Sequence, residues 1–470
     1  MILKALPVIL IISCLTGCTM APTYTRPTSP VPMEWPKGPA YKEAAGEQAG
    51  PLVSDIGWRE FFTDEKLREV IELALENNRD LRIAALNIQK AQGFYRVQRA
   101  ELFPAVNATG GKIKQRLPSD VSGAGVATIF SQYNTGIGLS SYELDFFGRL
   151  RSLTEAALQR YFATEQTRRS AQISLVASVA NAYLSYAADC ESLKLSRDTL
   201  ESQEASYKLI QKRFSVGASS ELDLRQAQTH LDAARVDIAL FTAQVAEDLN
   251  ALEVLAGLPI PSELLRNELG SSSIFKDITI KASSEVLLRR PDILQAEHQL
   301  RAANANIGAA RAAFFPTILL TTNAGMASSR LSGLFEAGSK AWTFAPQVGL
   351  PIFDAGSRLG SLQAAKADRD IFLAQYEKTI QVAFREVADA LAQRGTVGDQ
   401  LEAQESLVEA SAQAYRLSYA RYMNGIDNYL VALDSQRSLY ANQLRLISIR
   451  FSQLTNLVTL YKVLGGGDKE

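Results

Sequence analysis

The sequence predicts a mainly α-helical chain that also carries the strands of a transmembrane β-barrel. It is built as a tandem duplication of helix, two strands and two long coiled-coil helices. Three observations predict this: the chain resembles itself at a spacing of about 210 residues, apolar residues recur every seven positions, and short segments alternate with a period of two.

The duplication comes first, because it orders the rest. Asn78-Arg79-Asp80-Leu81 through Glu101-Leu102-Phe103-Pro104 matches Arg290-Pro291-Asp292-Ile293 through Ala313-Phe314-Phe315-Pro316, at an offset of 212 residues. Asp145-Phe146-Phe147-Gly148-Arg149-Leu150 matches Asp354-Ala355-Gly356-Ser357-Arg358-Leu359, with Arg149 lying 209 residues before Arg358. Tyr207, Arg213, Phe214 and Gly217 match Tyr415, Arg421, Tyr422 and Gly425 at 208. Three matches in one order with a slowly drifting offset mark two copies of one unit.

The first repeat spans 64–265 and the second 284–464, joined by an inter-repeat segment at 266–283 and followed by a tail at 465–470. Each opens with a helix, about Asp64 to Leu102 and about Ser284 to Phe314, ended by a Phe-Pro pair; proline cannot continue a helix but is tolerated at a strand start. Strands are expected at about 104–117, 132–147, 316–327 and 342–354. In Tyr133-Asn134-Thr135-Gly136-Ile137-Gly138-Leu139-Ser140, larger residues alternate with small polar ones, and Trp342, Phe344, Val348 and Leu350 alternate with Thr343, Gln347 and Gly349. That period suits a barrel strand with one lipid face and one watery face, and equally an amphipathic strand in a soluble domain. The first strand is less regular, because Lys112 and Lys114 fall on the side of Val106. Loops 118–131 and 327–341, rich in Ser, Gly and Ala, read as turns at the outer surface.

The remaining helices carry heptads. Val179, Tyr186, Leu193, Leu200, Tyr207 and Phe214 lie seven apart, as do Leu224, Leu231, Ile238, Val245 and Leu252. Leu401, Val408, Tyr415 and Tyr422 repeat the first ladder, and Leu433, Tyr440, Ile447, Leu454 and Tyr461 the second. A sustained seven-residue repeat supercoils helices left-handedly around a shared seam. The segment from Gly148 to Phe214 would be about 100 Å long at 1.5 Å per residue. Gly217 and Gly425 turn helix back into helix and mark the tips.

Composition excludes several classes of function. A chain of 470 residues with 47% hydrophobic and 21% charged residues is an ordinary folded composition. A net charge of −1 offers no basic surface for nucleic acid. Two histidines, His230 and His298, are too few for most metal or acid–base sites and read as polar helix positions. No glycine-rich nucleotide loop, nucleophile–base pairing or metal spacing appears, so neither an enzyme nor a cofactor is expected. Cys190 sits in an apolar helical stretch and reads as a small core residue.

The N-terminus, 1–17, has one early charge, Lys4, then an apolar run from Ala5 to Leu15, which is a secretory signal pattern. It ends in Leu15-Thr16-Gly17-Cys18, which resembles the lipobox of bacterial lipoproteins. That resemblance implies acyl chains on Cys18, and Thr19 in place of an aspartate implies delivery to the outer membrane. From Cys18 to about Leu52 the chain is rich in Pro, Thr and Ser and reads as an extended tether (18–63 with its continuation). The mature chain has no run of 18 apolar residues, so any crossing of a membrane requires a closed barrel.

Taken with Tyr142-Glu143-Leu144-Asp145-Phe146-Phe147-Gly148-Arg149 and Leu288-Arg289-Arg290-Pro291-Asp292-Ile293, the pattern resembles the outer membrane factor family. These are the TolC-like channels, and the likeness is to their OprM/NodT-type lipoprotein branch. It covers nearly the whole mature chain. The resemblance implies a homotrimer, in which four strands per subunit form one twelve-stranded barrel continued by a periplasmic α-helical barrel. It also implies an adaptor protein and an inner-membrane transporter of RND type as partners, outer-membrane lipid around the barrel, and export of drugs or other small toxic compounds. Matched on the second tip turn, Leu430 and Asp434 are the expected periplasmic gate, and Asp223 and Tyr422 the expected tip lock. Gly217 and Gly425 mark the expected adaptor contacts. Asp427 departs from the enterobacterial pattern, which has a basic residue there. Protein secretion through the same duct, and a lipid-anchored periplasmic coiled-coil scaffold without a pore, are the alternatives.

Overall fold

The computed structural model describes residues 19–42, 53–123, 125–270, 274–276 and 283–469. The signal segment and Cys18 therefore lie outside the described residues, as does much of the inter-repeat segment.

The first repeat holds α1 (Glu65–Asn77), α2 (Arg79–Ala100), β1 (Val106–Leu117), β2 (Thr128–Glu143), α3 (Arg149–Ser215) and α4 (Glu221–Ala256). The second holds α5 (Pro291–Ala312), β3 (Thr317–Ser328), β4 (Lys340–Gly349), α6 (Ser357–Met423) and α7 (Tyr429–Val463). The single helix expected from Asp64 to Leu102 is two. Asn78 leaves helical geometry, accepts the Leu81 amide on its side chain at 2.9 Å and so caps α2. In the second repeat a 3₁₀ turn, Ser284–Arg289, takes the place of α1, and Pro291 opens α5 at the position where its missing N–H costs nothing.

The strands also differ at their ends from the sequence expectation. β2 starts four residues earlier than 132, because Ile129 and Phe130 pair with Arg116 and Gln115. β4 stops at Gly349, short of 354, before Pro351. The four strands form one antiparallel sheet in the order β1-β2-β3-β4, so β1 and β4 are its edges. A bulge between Leu139 and Tyr142, with Ser141 at φ 54°, bends β2 as it leaves the sheet.

Residues group into two compact units. One comprises the sheet with the adjoining helical segments, Asn87–Glu165 and Gln295–Tyr376, and residues 19–28. In it, helices pack closely where small residues meet, Ala156 against Ala302 and Ala305. The starts of α3 and α6 are fixed by the duplicated aspartate: Asp145 accepts the Arg151 amide, and Asp354 accepts the amides of Gly356 and Arg358.

The other unit holds the heptad ladders. α3 runs 67 residues without Gly or Pro, and every ladder residue except Phe214 is buried or half-buried. The repeats are pinned in matching ways. Asn78 donates to the Leu255 carbonyl at the end of α4, at 2.9 Å, and Arg290 donates to the Val463 carbonyl at the end of α7, at 2.8 Å.

The stretch read as an extended tether is laid against the chain's own helices. In the first unit Asn304 donates to the Pro22 carbonyl, and buried Glu297 accepts from Tyr24 and Arg26 as well as Arg301. In the second, Trp35 stacks on Phe384 at 5.1 Å, and a side chain at Gly395 would lie 2.2 Å from the Ala40 carbonyl oxygen. Glycine at 395 is what lets the strap lie flat on α6.

Candidate functional site

Two places hold the residues singled out by the sequence: the sheet and the helical tip. In the sheet, paired residues share a face, so register sorts the side chains. One face carries Val106, Leu139, Thr322 and Phe344 in one row and Ala108, Ile137, Ala324 and Trp342 in the next. Trp342 is 79% exposed, with Val348 and Phe344 close behind. The opposite face carries Asn107, Thr109, Gln132, Asn134, Asn323, Thr343 and Gln347, among small and apolar residues. Its one carboxylate is Glu143 at the helical end, held by Arg149 through two hydrogen bonds of 2.8 and 2.6 Å. The outer edges of β1 and β4 are unpaired among the described residues, so the sheet is complementary to copies of itself.

At the tip, both turns have one construction. The amide of Gly217, at φ 74°, bonds to the Phe214 carbonyl and that of Ala218 to the Arg213 carbonyl. The amide of Gly425, at φ 71°, bonds to the Tyr422 carbonyl and that of Ile426 to the Arg421 carbonyl. This pair of bonds closes a helix on a left-handed residue, which favours glycine. The returning helices are capped by Ser220, in a reciprocal box with Asp223, and by Asn428.

Ile210, Ala227, Tyr422, Tyr429, Ala432 and Leu433 form the tip core. Leu430 and Asp434, one helical turn apart, point away from it: Leu430 is 51% exposed and Asp434 is exposed. Asp434 is not bare, because Arg437 donates to it at 2.6 Å. Asp223 and Tyr422 do not bond to each other within one subunit. Arg213 donates to the Tyr422 hydroxyl at 2.9 Å and lends its charge to Asp223. Burial pushes the Asp223 carboxyl up, but the Ser220 and Ser219 hydrogen bonds and the Arg213 charge outweigh it and hold it below the usual range. Asp427 accepts two hydrogen bonds from Arg421, so this position is an ion pair within one tip.

Sequence reasoning missed Arg437 and Arg213. The first was readable as a base three residues after Asp434; the second, 209 residues from Tyr422, left no local signal. His230 lies close to these groups, and burial followed by the Arg437 charge lowers its pKa, which keeps it neutral at pH 7. Among the described residues no group of His, Cys, Asp or Glu is placed to hold a metal ion.

Away from the tip, Asp189 on α3 meets Asp248 on α4, which also accepts from Ser185 at 3.2 Å. Burial, then the hydrogen bond and charge of Asp248, push Asp189 up to about 6. The folded state thus holds a proton that the unfolded chain releases near pH 4, and stability falls as pH rises toward 6 and beyond. Asp189→Asn is expected to flatten thermal unfolding between pH 5 and 7.5. It should stabilise by about 1 kcal/mol at the upper end, after discounting for solvent screening. A variant whose pH profile matches wild type would refute this.

A model of the family described as "Outer membrane efflux protein" matches residues 70–258 and again 282–466. The two matches start 212 residues apart and end 208 apart, the same drift as the internal repeat. The chain is 50% identical to the toluene efflux pump outer membrane protein TtgC of Pseudomonas putida, over 96% of this chain and 93% of that protein. It is 43% identical to the outer membrane protein OprJ of Pseudomonas aeruginosa, over 98% and 95%. Among solved structures, the open state of the Neisseria gonorrhoeae MtrE outer membrane channel superposes with a TM-score of 0.85 at 36% identity, covering 96% of this chain and 99% of that one.

Proposed function

Because the chain belongs to the outer membrane efflux protein family, we propose that three copies of it close one passive duct for drugs or other small toxic compounds, fed by an inner-membrane pump through a periplasmic adaptor. The chain is an efflux channel protein of the Gram-negative outer membrane, with a long helical extension on the periplasmic side. The observation that carries the trimer is the four-stranded sheet with two open edges. One subunit would leave two rows of backbone N–H and C=O groups bare in hydrocarbon, each costing several kcal/mol. Twelve strands from three copies leave none. The face with Trp342 and Phe344 then meets lipid, and the face with Asn107, Asn134 and Asn323 lines the water.

Energy comes from elsewhere in this reading, since the family is one of outer-membrane channels. The adaptor meets the tips near Gly217 and Gly425, and opening separates Leu430 and Asp434 from their copies in neighbouring subunits. Cross-linking of purified protein in native membranes should give trimers, and planar bilayers should show stepwise currents. Folded trimers that never conduct would favour the periplasmic scaffold instead.

Cys18 carries the lipid anchor in this reading. Wild-type cells fed a palmitate analogue should label the protein and Cys18→Ser should abolish the label; unlabelled wild type would sink the assignment.

A further inference from the structure

Four cations stand where the sheet pattern calls for apolar residues. On the face of Val106 and Ala108, the positions of β1 beyond Gly110 toward the hairpin end are Lys112, Lys114 and Arg116. On β4 the row beyond Trp342 is Lys340, paired with Met326. All four are exposed, and none forms an ion pair with a carboxylate among the described residues. Lys112 lies over the Tyr133 ring, 4.9 Å from its centre, which holds its ammonium at the surface.

Three like charges two residues apart on one strand are spaced roughly 7 Å, close enough to repel unless an anion lies across them. Depth adds to the case. From the Ile318–Val348 pair to the Met326–Lys340 pair is eight residues, about 27 Å along the strand and roughly 20 Å along the membrane normal at the usual tilt. Lys340 therefore stands at the upper rim of an apolar band about 25 Å tall, at the end of the sheet away from the helices. Because β1 and β4 are the two edges, closure by copies of the chain sets the strand of Lys340 beside the β1 strand of the next, with the cations of both at the hairpin end.

The geometry points to a binding site for the phosphorylated headgroup of an outer-leaflet glycolipid, lipid A with its two phosphates, at each of the three seams between subunits. It rests on the barrel reading above. Phosphate oxygens accept from several ammonium and guanidinium donors at once, and the acyl chains would lie along Val106, Phe344 and Trp342 below. Bound across a seam, the lipid ties two subunits together.

The test uses the purified full-length trimer in detergent with three probes: bis-phosphorylated lipid A, dephosphorylated lipid A and phosphatidylglycerol. Bis-phosphorylated lipid A should be retained and should raise the trimer dissociation temperature, less so in high salt. Lys112→Gln/Lys114→Gln/Arg116→Gln/Lys340→Gln should weaken retention at least tenfold, roughly the loss expected from removing several near-surface cations. Equal retention of dephosphorylated lipid A or phosphatidylglycerol, or an unchanged glutamine variant, would overturn the site and leave the cations as guards against stray strand pairing. Should the glutamine variant fail to assemble, the discrimination among lipids by wild type decides alone. Currents in bilayers free of lipid A separate the two readings, because the pore does not depend on this site.

Discussion

Replacing Leu430 and Asp434 together with alanine is expected to raise single-channel conductance about tenfold, because the pair is the proposed constriction of the duct. The structure explains why the change should be confined to the pore. Tyr429, Ala432 and Leu433 face the tip core, whereas Leu430 and Asp434 lie on the opposite side of α7. Truncating them removes no core contact, and the exposed Asp434–Arg437 pair is of the kind that contributes 0–1 kcal/mol. The single variants should differ in kind. Leu430→Ala widens a dry constriction, so conductance rises with little change in selectivity. Asp434→Ala frees the Arg437 guanidinium, so the reversal potential in a salt gradient should shift toward anions. Folded double-variant trimers with wild-type currents would move the gate to the Arg421–Asp427 and Arg213–Tyr422 links.

Arg290→Ala is expected to cost about 3 kcal/mol of stability. Arg290 is 9% exposed and makes a fork to Asp292, a third bond to Glu386 at 2.8 Å and a fourth to the Val463 carbonyl. Its removal leaves two carboxylates facing each other without a cation and a helix-end carbonyl without a donor. Both carboxylates keep some water, which places the loss at the lower end of the range for broken buried pairs. Asn78→Ala, which removes the matching pin of the first repeat, should cost about 1–2 kcal/mol, because only neutral hydrogen bonds go. Thermal dissociation of the trimer reads both, and equal losses would refute the role given to charge. Arg290→Met with Glu386→Gln should recover part of the loss.

These residues also show what the sequence could and could not tell. The ladders from Val179 and Leu224 were legible because a seven-residue period survives any detail of packing. Gly217 and Gly425 were legible because a left-handed helix end leaves few choices of residue. The break at Asn78 was not, since its cause is a side chain that caps the next helix within an unbroken helical pattern. Asn78 and Arg290 were visible only as halves of a repeat; that both reach the end of a returning helix is a long-range fact. Leu430 and Asp434 could be placed on one helix face by spacing alone, but the Arg213–Tyr422 contact joins distant parts of the chain. Lys112 and Lys114 looked like an irregular strand until register put them at the hairpin end of the face that carries Trp342 and Phe344.

The open edges of the sheet have a genetic consequence. In the proposed trimer no subunit completes its own membrane segment, so each copy's success depends on both neighbours. An allele that folds but carries a faulty β1, for instance a proline at Thr109, would still offer a sound β4 to wild-type partners and trap them. With equal expression and random mixing, only about one assembly in eight would be wholly normal. Such alleles should be dominant, and a cell carrying one beside the normal gene should lose most of its export capacity.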